Sequence, residues 1–356
     1  MQNNKYKEQE KLTMALIGAG TWGETHAYLY DQDRRVDLTA ICDLDIKKAQ
    51  KVAAKFSVSG VYEDYQKMLK THHFDAVAIV TPDFTHPEIV VACAEAGKDI
   101  LLEKPLATTK KGIKDIIEIY NENDIRMMVD FHNRWNPPFA KAKEKIENNE
   151  IGVPVSSYFR LNDIKWVATD LLPWAEKSSI LWFLGSHTID TLNWLFEDNV
   201  KRVYSVSHKG VLVDEGVDTT DIYQTTLEFE KGAIATIENG WITPNNHPNV
   251  NDIKFNMTGS EGIINIDPTN NRLIEMYNQQ EHENPDILVN HFIHGKAEGF
   301  AYKSILHFVE NLLSGKEFLV SVKDAVKTSL IILAILESDQ KKKPVEVDYT
   351  LLESLE

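Results

Sequence analysis

The chain has 356 residues, 43% of them hydrophobic, which supplies apolar material for two domains rather than one. Lys and Arg number 38 against 54 Asp and Glu, a net charge of −16. That balance argues against nucleic acid or an anionic membrane as the main partner, although a local site can still be basic. The two cysteines, Cys42 and Cys93, fall in a predicted strand and a predicted helix and point to a reducing compartment. The opening "MQNNKYKEQEKLT" lacks the apolar middle of a secretory signal, and the longest apolar run, Leu330 to Leu336, is too short to span a bilayer. A soluble, cytoplasmic protein is expected.

In chain order, a polar arm (1–11) leads into apolar runs of strand length at Leu12–Gly18, Val36–Cys42, Phe74–Val80, Asp99–Leu102 and Arg126–Phe131. Helical patterns lie between them, at Ile46–Phe56, His86–Ala96 and Thr109–Glu122. Continuous Val/Ile/Leu/Ala runs separated by amphipathic helices predict an α/β, doubly wound parallel sheet over residues 1–131. "HNRWNPPF" reads as a linker, followed by a helix to about Asn148. Alternating strands then dominate: Val155–Asn162, Val200–His208, Asp221–Phe229, Ala233–Trp241, Asp252–Gly259 and Gly262–Asp267, with "EKGA" and "GSEG" as hairpin turns. Helices are predicted near Ser179–Phe196, Ala301–Ser314 and Lys323–Ser338. Residues 132–356 are therefore expected to form a second, largely antiparallel α+β domain.

"MALIGAGTWG" places Gly18, Gly20 and Gly23 directly after a strand and before a helix, the context in which a glycine triplet binds a dinucleotide. Gly18 permits the turn, Gly20 lets the backbone approach a pyrophosphate, and Gly23 lets the helix pack closely. Free N–H groups at the helix start, near Thr21 and Trp22, would take the phosphates. The next strand ends "TAICD", and Asp43 there suits a ribose diol and repels a 2′-phosphate, so NAD is expected rather than NADP. "TPDFTHPEI" ends a further strand. Thr81 and Pro82 are candidates to line the cofactor, and His86 is either a cofactor contact or a helix-start residue; Asp83 or Thr85 can cap that helix.

"KDILLEKPLAT" ends the following strand on Glu103, Lys104 and Pro105. Pro105 restricts the residue before it and is a candidate for a cis bond. Lys104 should face the crevice that holds the nicotinamide, with Glu103 as local negative charge. A lysine there can hydrogen-bond a reacting hydroxyl, help move its proton and stabilise a developing alkoxide. Arg134 and Trp135 follow the last strand of this sheet and are assigned to cofactor or substrate binding, with interdomain packing as the alternative.

"GAGTWG", "TPDFTHPEIV", "LLEKPLA" and "GSHTIDTLNWL", in that order, resemble the glucose–fructose oxidoreductase / inositol dehydrogenase (Gfo/Idh/MocA) family over nearly the whole chain. The resemblance implies a Rossmann domain, a C-terminal domain with a broad open sheet, and NAD(P)-dependent oxidation or reduction of a sugar, polyol or derivative. It makes Lys104 the catalytic lysine and implies a homodimer or homotetramer built through the open sheet. It also reverses the residue-level reading of His187, which as a lone histidine among apolar neighbours would be a core residue. The family uses a histidine here as substrate ligand and proton carrier. Asp190 would orient its imidazole or bridge to the other domain.

One departure stands out. The family's aspartate, four residues before this histidine, is Phe183 here. Either Lys104 and His187 share proton transfer, or Asp163 or Asp170 replaces the missing acid, or the chemistry is altered; the first is the expectation. Lys165, Trp166 and Trp174, in a predicted loop from Asn162 to Trp174, suit stacking on a sugar ring or, alternatively, a domain or subunit contact. His291 and His294 are spaced one helical turn apart without a matching Cys/Asp/Glu cluster, so no metal is expected. No serine-nucleophile elbow or P-loop occurs. Two rivals to a dehydrogenase are a redox-neutral enzyme that oxidises its sugar transiently, and a non-catalytic NAD-binding regulator.

Overall fold

The computed structural model describes residues 5, 6, 9, 11–269, 273–280 and 282–355. The chain forms two compact units that interleave in sequence: Met1–His132 with Ile293–Val326 and Thr350–Glu356, and Asn133–Phe292 with Lys327–Tyr349.

The first unit is built on strands β1 (Leu12–Ile17), β2 (Val36–Cys42), β3 (Gly60–Tyr62), β4 (Ala76–Ile79), β5 (Asp99–Glu103) and β6 (Met127–Asp130). They form one parallel sheet in the order β3-β2-β1-β4-β5-β6. Helices α1 (Thr21–Gln32), α2 (Ile46–Lys55), α3 (Tyr65–Thr71), α4 (His86–Glu95) and α5 (Lys110–Glu122) make the crossovers. Every residue of β4, β5 and β6 is buried, as a sheet covered on both faces requires. Asp45, Asp64 and Thr109 cap α2, α3 and α5 by accepting a backbone N–H of the first turn. The pair β3 and α3 escapes sequence reading, because three residues of strand and seven of helix are too short for a period to show. The arm is more than a polar tail. Its Tyr6 is buried and donates to Asp99 Oδ2 at 2.6 Å, while residues 1–4, 7, 8 and 10 lie outside the described residues.

The second unit begins with α6 (Pro137–Glu147) and β7 (Pro154–Ile164). Leu181–Gly185 then winds as a wide π-helix that runs into α7 (Ser186–Phe196), so the predicted single helix has two geometries. There follow β8 (Val200–His208), the short α8 (Val211–Asp214), β9 (Ile222–Phe229), β10 (Ile234–Thr243), β11 (Asn251–Gly259) and β12 (Ile263–Ile266). The sheet order is β12-β11-β7-β10-β9-β8, with Val345–Glu346 on the far edge. All its pairs are antiparallel except β7 with β10, which is parallel. α9 (Phe300–Ser314) belongs to the first unit; α10 (Val322–Lys341) contributes Ile331, Ile332 and Ile335 to the core of the second.

Two predicted features differ. The segment 162–174 is not a loop: β7 runs on to Ile164 and Val167–Leu171 is helical. His291 lies on a strand and His294 has a φ of +50°, so the two histidines do not share a helix face.

Candidate active site

The glycine turn joins β1 to α1. Gly18 has a φ of +102°, and a Cβ there would sit 2.2 Å from the Val80 carbonyl oxygen. A Cβ on Gly23 would lie 2.0 Å from the Gly18 carbonyl oxygen, so both positions require glycine. Gly20 differs: a Cβ would meet nothing within 4 Å, and no side chain caps the start of α1 there. An open surface with uncapped helix N–H groups is what a pyrophosphate needs. Thr21 is exposed on the first turn. Asp43 Oδ2 accepts from the Ala19 N–H at 2.7 Å and Oδ1 from the Asp45 N–H at 2.8 Å, so this carboxylate braces the turn as well as ending β2.

Thr81 follows β4. Its hydroxyl accepts from Thr85 Oγ1 at 2.8 Å, and Pro82 opens a short 3-10 turn, Asp83–Thr85. Thr85, at the N-cap of α4, makes no side-chain cap. His86 is fully buried, with Nδ1 2.7 Å from the Pro105 carbonyl and Nε2 3.0 Å from that of Thr81. Burial lowers its pKa, against the two carbonyl contacts, which act to raise it. It therefore pins the Lys104-Pro105 corner to the end of β4. Both ring nitrogens face backbone oxygens and the ring has no exposed surface, so here His86 packs as a buried helix-start residue.

Lys104 leaves the carboxyl end of β5 half-buried, and its bond to Pro105 is cis. Glu103 turns inward. Its Oε1 accepts from Trp22 Nε1 at 2.7 Å and faces His26 Nε2 at 3.1 Å. Burial works to raise the Glu103 pKa, but the His26 hydrogen bond and the charges of His26 and Lys104 outweigh it and hold the acid down at about 2. Trp22 thus serves Glu103 rather than standing alone at the helix start. Buried Asp130 ends β6 beside this group, and His26, Glu103 and Asp130 bring one ligand atom each within 4.8 Å of one another, a spacing able to hold a cation. Half-buried His132 follows; desolvation lowers its pKa to about 4. Neither His26 nor Asp130 carries a sequence signal, because both lie inside ordinary helix and strand patterns.

In the second unit, His187 is buried on the first turn of α7. Asn239 of β10 donates to Thr188 Oγ1 at 2.9 Å and to the Leu161 carbonyl at 3.0 Å, tying α7 to the sheet. Gly185 lets this happen, since a Cβ there would already lie 3.3 Å from Asn239 Oδ1. Arg134 forms a fork with Asp190: Nε to Oδ2 at 3.0 Å and the terminal nitrogen to Oδ1 at 2.7 Å, both side chains buried. That pairing gives Asp190 a partner other than the imidazole and places Arg134 in α7's anchorage. Phe183 packs edge-on against Trp174, with ring centroids 6.3 Å apart, as part of the apolar core. Of the two acids considered in its place, Asp163 is 1% exposed on β7 and accepts from Asn251 Nδ2, whereas Asp170 is exposed and bonded by Thr169. Lys165 pairs with Glu215, Trp166 is 41% exposed and Trp135 half-buried.

Residues 12–131 match the family model described as "Oxidoreductase family, NAD-binding Rossmann fold", and residues 143–347 its companion, "Oxidoreductase family, C-terminal alpha/beta domain". The chain belongs to the Gfo/Idh/MocA oxidoreductase family. It is 25% identical to myo-inositol 2-dehydrogenase of Thermotoga maritima over 95% of this chain and 99% of that one. It is 27% identical to the NAD(+)-dependent scyllo-inositol 2-dehydrogenase of Bacillus subtilis over 96% and 97%. Its fold matches scyllo-inositol dehydrogenase of Lactobacillus casei, solved with NAD(H) and scyllo-inositol, at a TM-score of 0.80, 17% identity and coverage of 95% and 99%. As a member of the family it is an NAD-dependent oxidoreductase, with its glycine turn, open Gly20 and Asp43 fitting that cofactor. Among the described residues, no helix is long and apolar enough to cross a membrane.

Proposed function

We propose that this protein is a polyol dehydrogenase that oxidises a ring CH–OH of an inositol or a related sugar. The observation that carries this is Lys104. It emerges from the carboxyl end of β5, and β5 is separated by β4 alone from β1 and its glycine turn, in one sheet. Ligands of such sheets bind beyond the strand carboxyl ends, near the switch in strand order, which here lies between β1 and β4. The relatives named for inositols supply the substrate class.

When bound, NAD supplies the hydride acceptor. Gly18, Gly20, Thr21, Trp22 and Gly23 present the phosphate-binding turn, Asp43 the ribose acceptor, and Thr81, Pro82 and Glu103 the neighbouring strand ends. Lys104 donates a hydrogen bond to the substrate hydroxyl oxygen and steadies negative charge as it develops there. His187 is proposed as the second proton-handling group, with Trp135, Lys165 and Trp166 as substrate contacts. Arg134 and Asp190 act as supports through their ion pair.

A second copy of the chain is the proposed partner for the open sheet. Tyr158, Thr236, Thr226 and Tyr204 stand in register as a row across β7, β10, β9 and β8, and both tyrosines are exposed, as are Val206 and Ile234. A homodimer or homotetramer would cover them. Two buried free thiols, Cys42 and Cys93, accord with a reducing cytoplasm.

The test is a panel of inositols, sugars and other polyols offered with NAD and with NADP, followed by nicotinamide absorbance. Reduction of NAD by a cyclic polyol is expected, with NADP poor. No reduction with any compound would overturn the reading and favour a redox-neutral enzyme or a regulator.

A further inference from the structure

The indole of Trp22 crosses from the glycine turn to the strand that leads into Lys104. Trp22 lies on the first turn of α1, where the Glu24 N–H closes the first helical bond to the Gly20 carbonyl at 2.9 Å. Its backbone is set by the turn, since the neighbouring Gly23 packs on the Gly18 carbonyl with no room for a Cβ. From there Trp22 Nε1 donates at 2.7 Å to Oε1 of Glu103, the last residue of β5. β4 lies between β1 and β5, so the two strands are about 10 Å apart. An indole spans much of that gap as a rigid plate whose single N–H can only donate, and the Glu103 side chain spans the rest. A phenyl ring reaches less far and carries no donor.

The plate is itself held in place. Trp22 meets the His26 ring edge-on, with centroids 6.4 Å apart, and the His132 ring at 6.4 Å, while His132 meets Phe300 at 5.5 Å. Glu103 is 7% exposed, so water competes little for the indole bond. On the other side of Lys104, His86 Nδ1 lies 2.7 Å from the Pro105 carbonyl. Lys104 is thus flanked by two anchored residues, Glu103 through its side chain and Pro105 through its carbonyl.

We propose that Trp22 is a positioning residue for Lys104. Through Glu103 its indole fixes the origin of the lysine side chain relative to the turn that takes the pyrophosphate. Cofactor and ammonium are then registered to one piece of backbone. Such registration matters because a misplacement of about 1 Å costs on the order of 10²-fold in rate. This role rests on the reading of Lys104 under Proposed function. It is separate from Trp22's place in the phosphate-binding turn, which uses the main-chain N–H rather than the indole.

The experiment measures kcat with the best polyol of the panel, and the Kd for NAD, on full-length Trp22→Phe. The expected result is a kcat lower by about 10- to 100-fold, with NAD affinity near that of the wild type. In a Lys104→Met background the same substitution should cost nothing further, because the group it positions is gone. Trp22→β-(3-benzothienyl)alanine keeps the indole's shape without its N–H and should reproduce the loss, so the hydrogen bond is read even if Trp22→Phe folds poorly. A wild-type kcat in the benzothienyl variant, or an equal further loss in the Lys104→Met background, would overturn the proposal. A Lys104→Met enzyme with wild-type turnover would instead overturn the reading of Lys104. If no polyol is turned over, crystals of the benzothienyl variant decide: a Lys104 displaced relative to β4 is expected, and an unmoved one would sink the proposal.

Discussion

Gly18 shows how single residues carry this site. Its backbone is in the left-handed region, and the Val80 carbonyl occupies the space of a side chain. Gly18→Ala is expected to cost about 1–3 kcal/mol of stability and to abolish NAD binding, read by thermal melting with and without NAD. His132 makes a pH prediction. Its folded-state pKa of about 4 lies below the roughly 6.5 of an unfolded histidine. The unfolded chain therefore takes up a proton first as pH falls, and stability present above pH ~6.5 is lost progressively towards about 4. Buried His86 adds in the same direction. Melting temperature should fall across that window, and less steeply in His132→Gln; equal slopes would contradict the assignment. At this scale sequence reading placed Gly18 in a strand-to-helix turn and Asp43 and Lys104 at strand ends, because turn chemistry and strand ends are local. It left His86 open between a cofactor contact and a helix-start residue, because the two carbonyls its ring meets are set by tertiary placement alone.

Among elements, the Arg134–Asp190 fork joins the turn after β6 to α7, beside a longer hydrogen bond from Asn133 to Thr191. Both partners are buried, so removing one leaves an uncompensated charge. Arg134→Met is expected to destabilise the protein by about 3–5 kcal/mol, measured by denaturant unfolding, with a smaller loss in a double variant that also carries Asp190→Leu. Equal losses in the two would argue that the pair is not energetically coupled. The spacing of Arg134 and Asp190 in sequence says nothing of their pairing, which is why Arg134 was left between ligand binding and interdomain packing, and Asp190 between an imidazole and a bridge to the other domain. The strands of both sheets were legible from their periods, several to the residue, as with Val36–Cys42 and Val200–His208. The π-helix before α7 was not. Its side-chain pattern differs little from that of an α-helix, so no period in the sequence marks it.

For the whole molecule, the class of fold followed from the alternation of strand and helix patterns in the first third of the chain and hairpin-linked strands afterwards. The return of α9 to the first unit was hidden, because a lone amphipathic helix carries no record of which sheet it covers. The exposed row through Tyr158 and Tyr204, with Ile234 on the same sheet, predicts self-association. Ile234→Glu with Tyr204→Glu should shift the mass measured by light scattering towards monomer, and an unchanged mass would place the interface elsewhere. The central claim is that Lys104 handles the reacting hydroxyl of a polyol while NAD takes the hydride. Its most direct test is the rate of NAD reduction by the best inositol of the panel, wild type against Lys104→Met at saturating NAD. A loss of about 10²-fold or more in kcat, with NAD affinity retained, is predicted; a Lys104→Met enzyme that turns over as the wild type does would contradict the account.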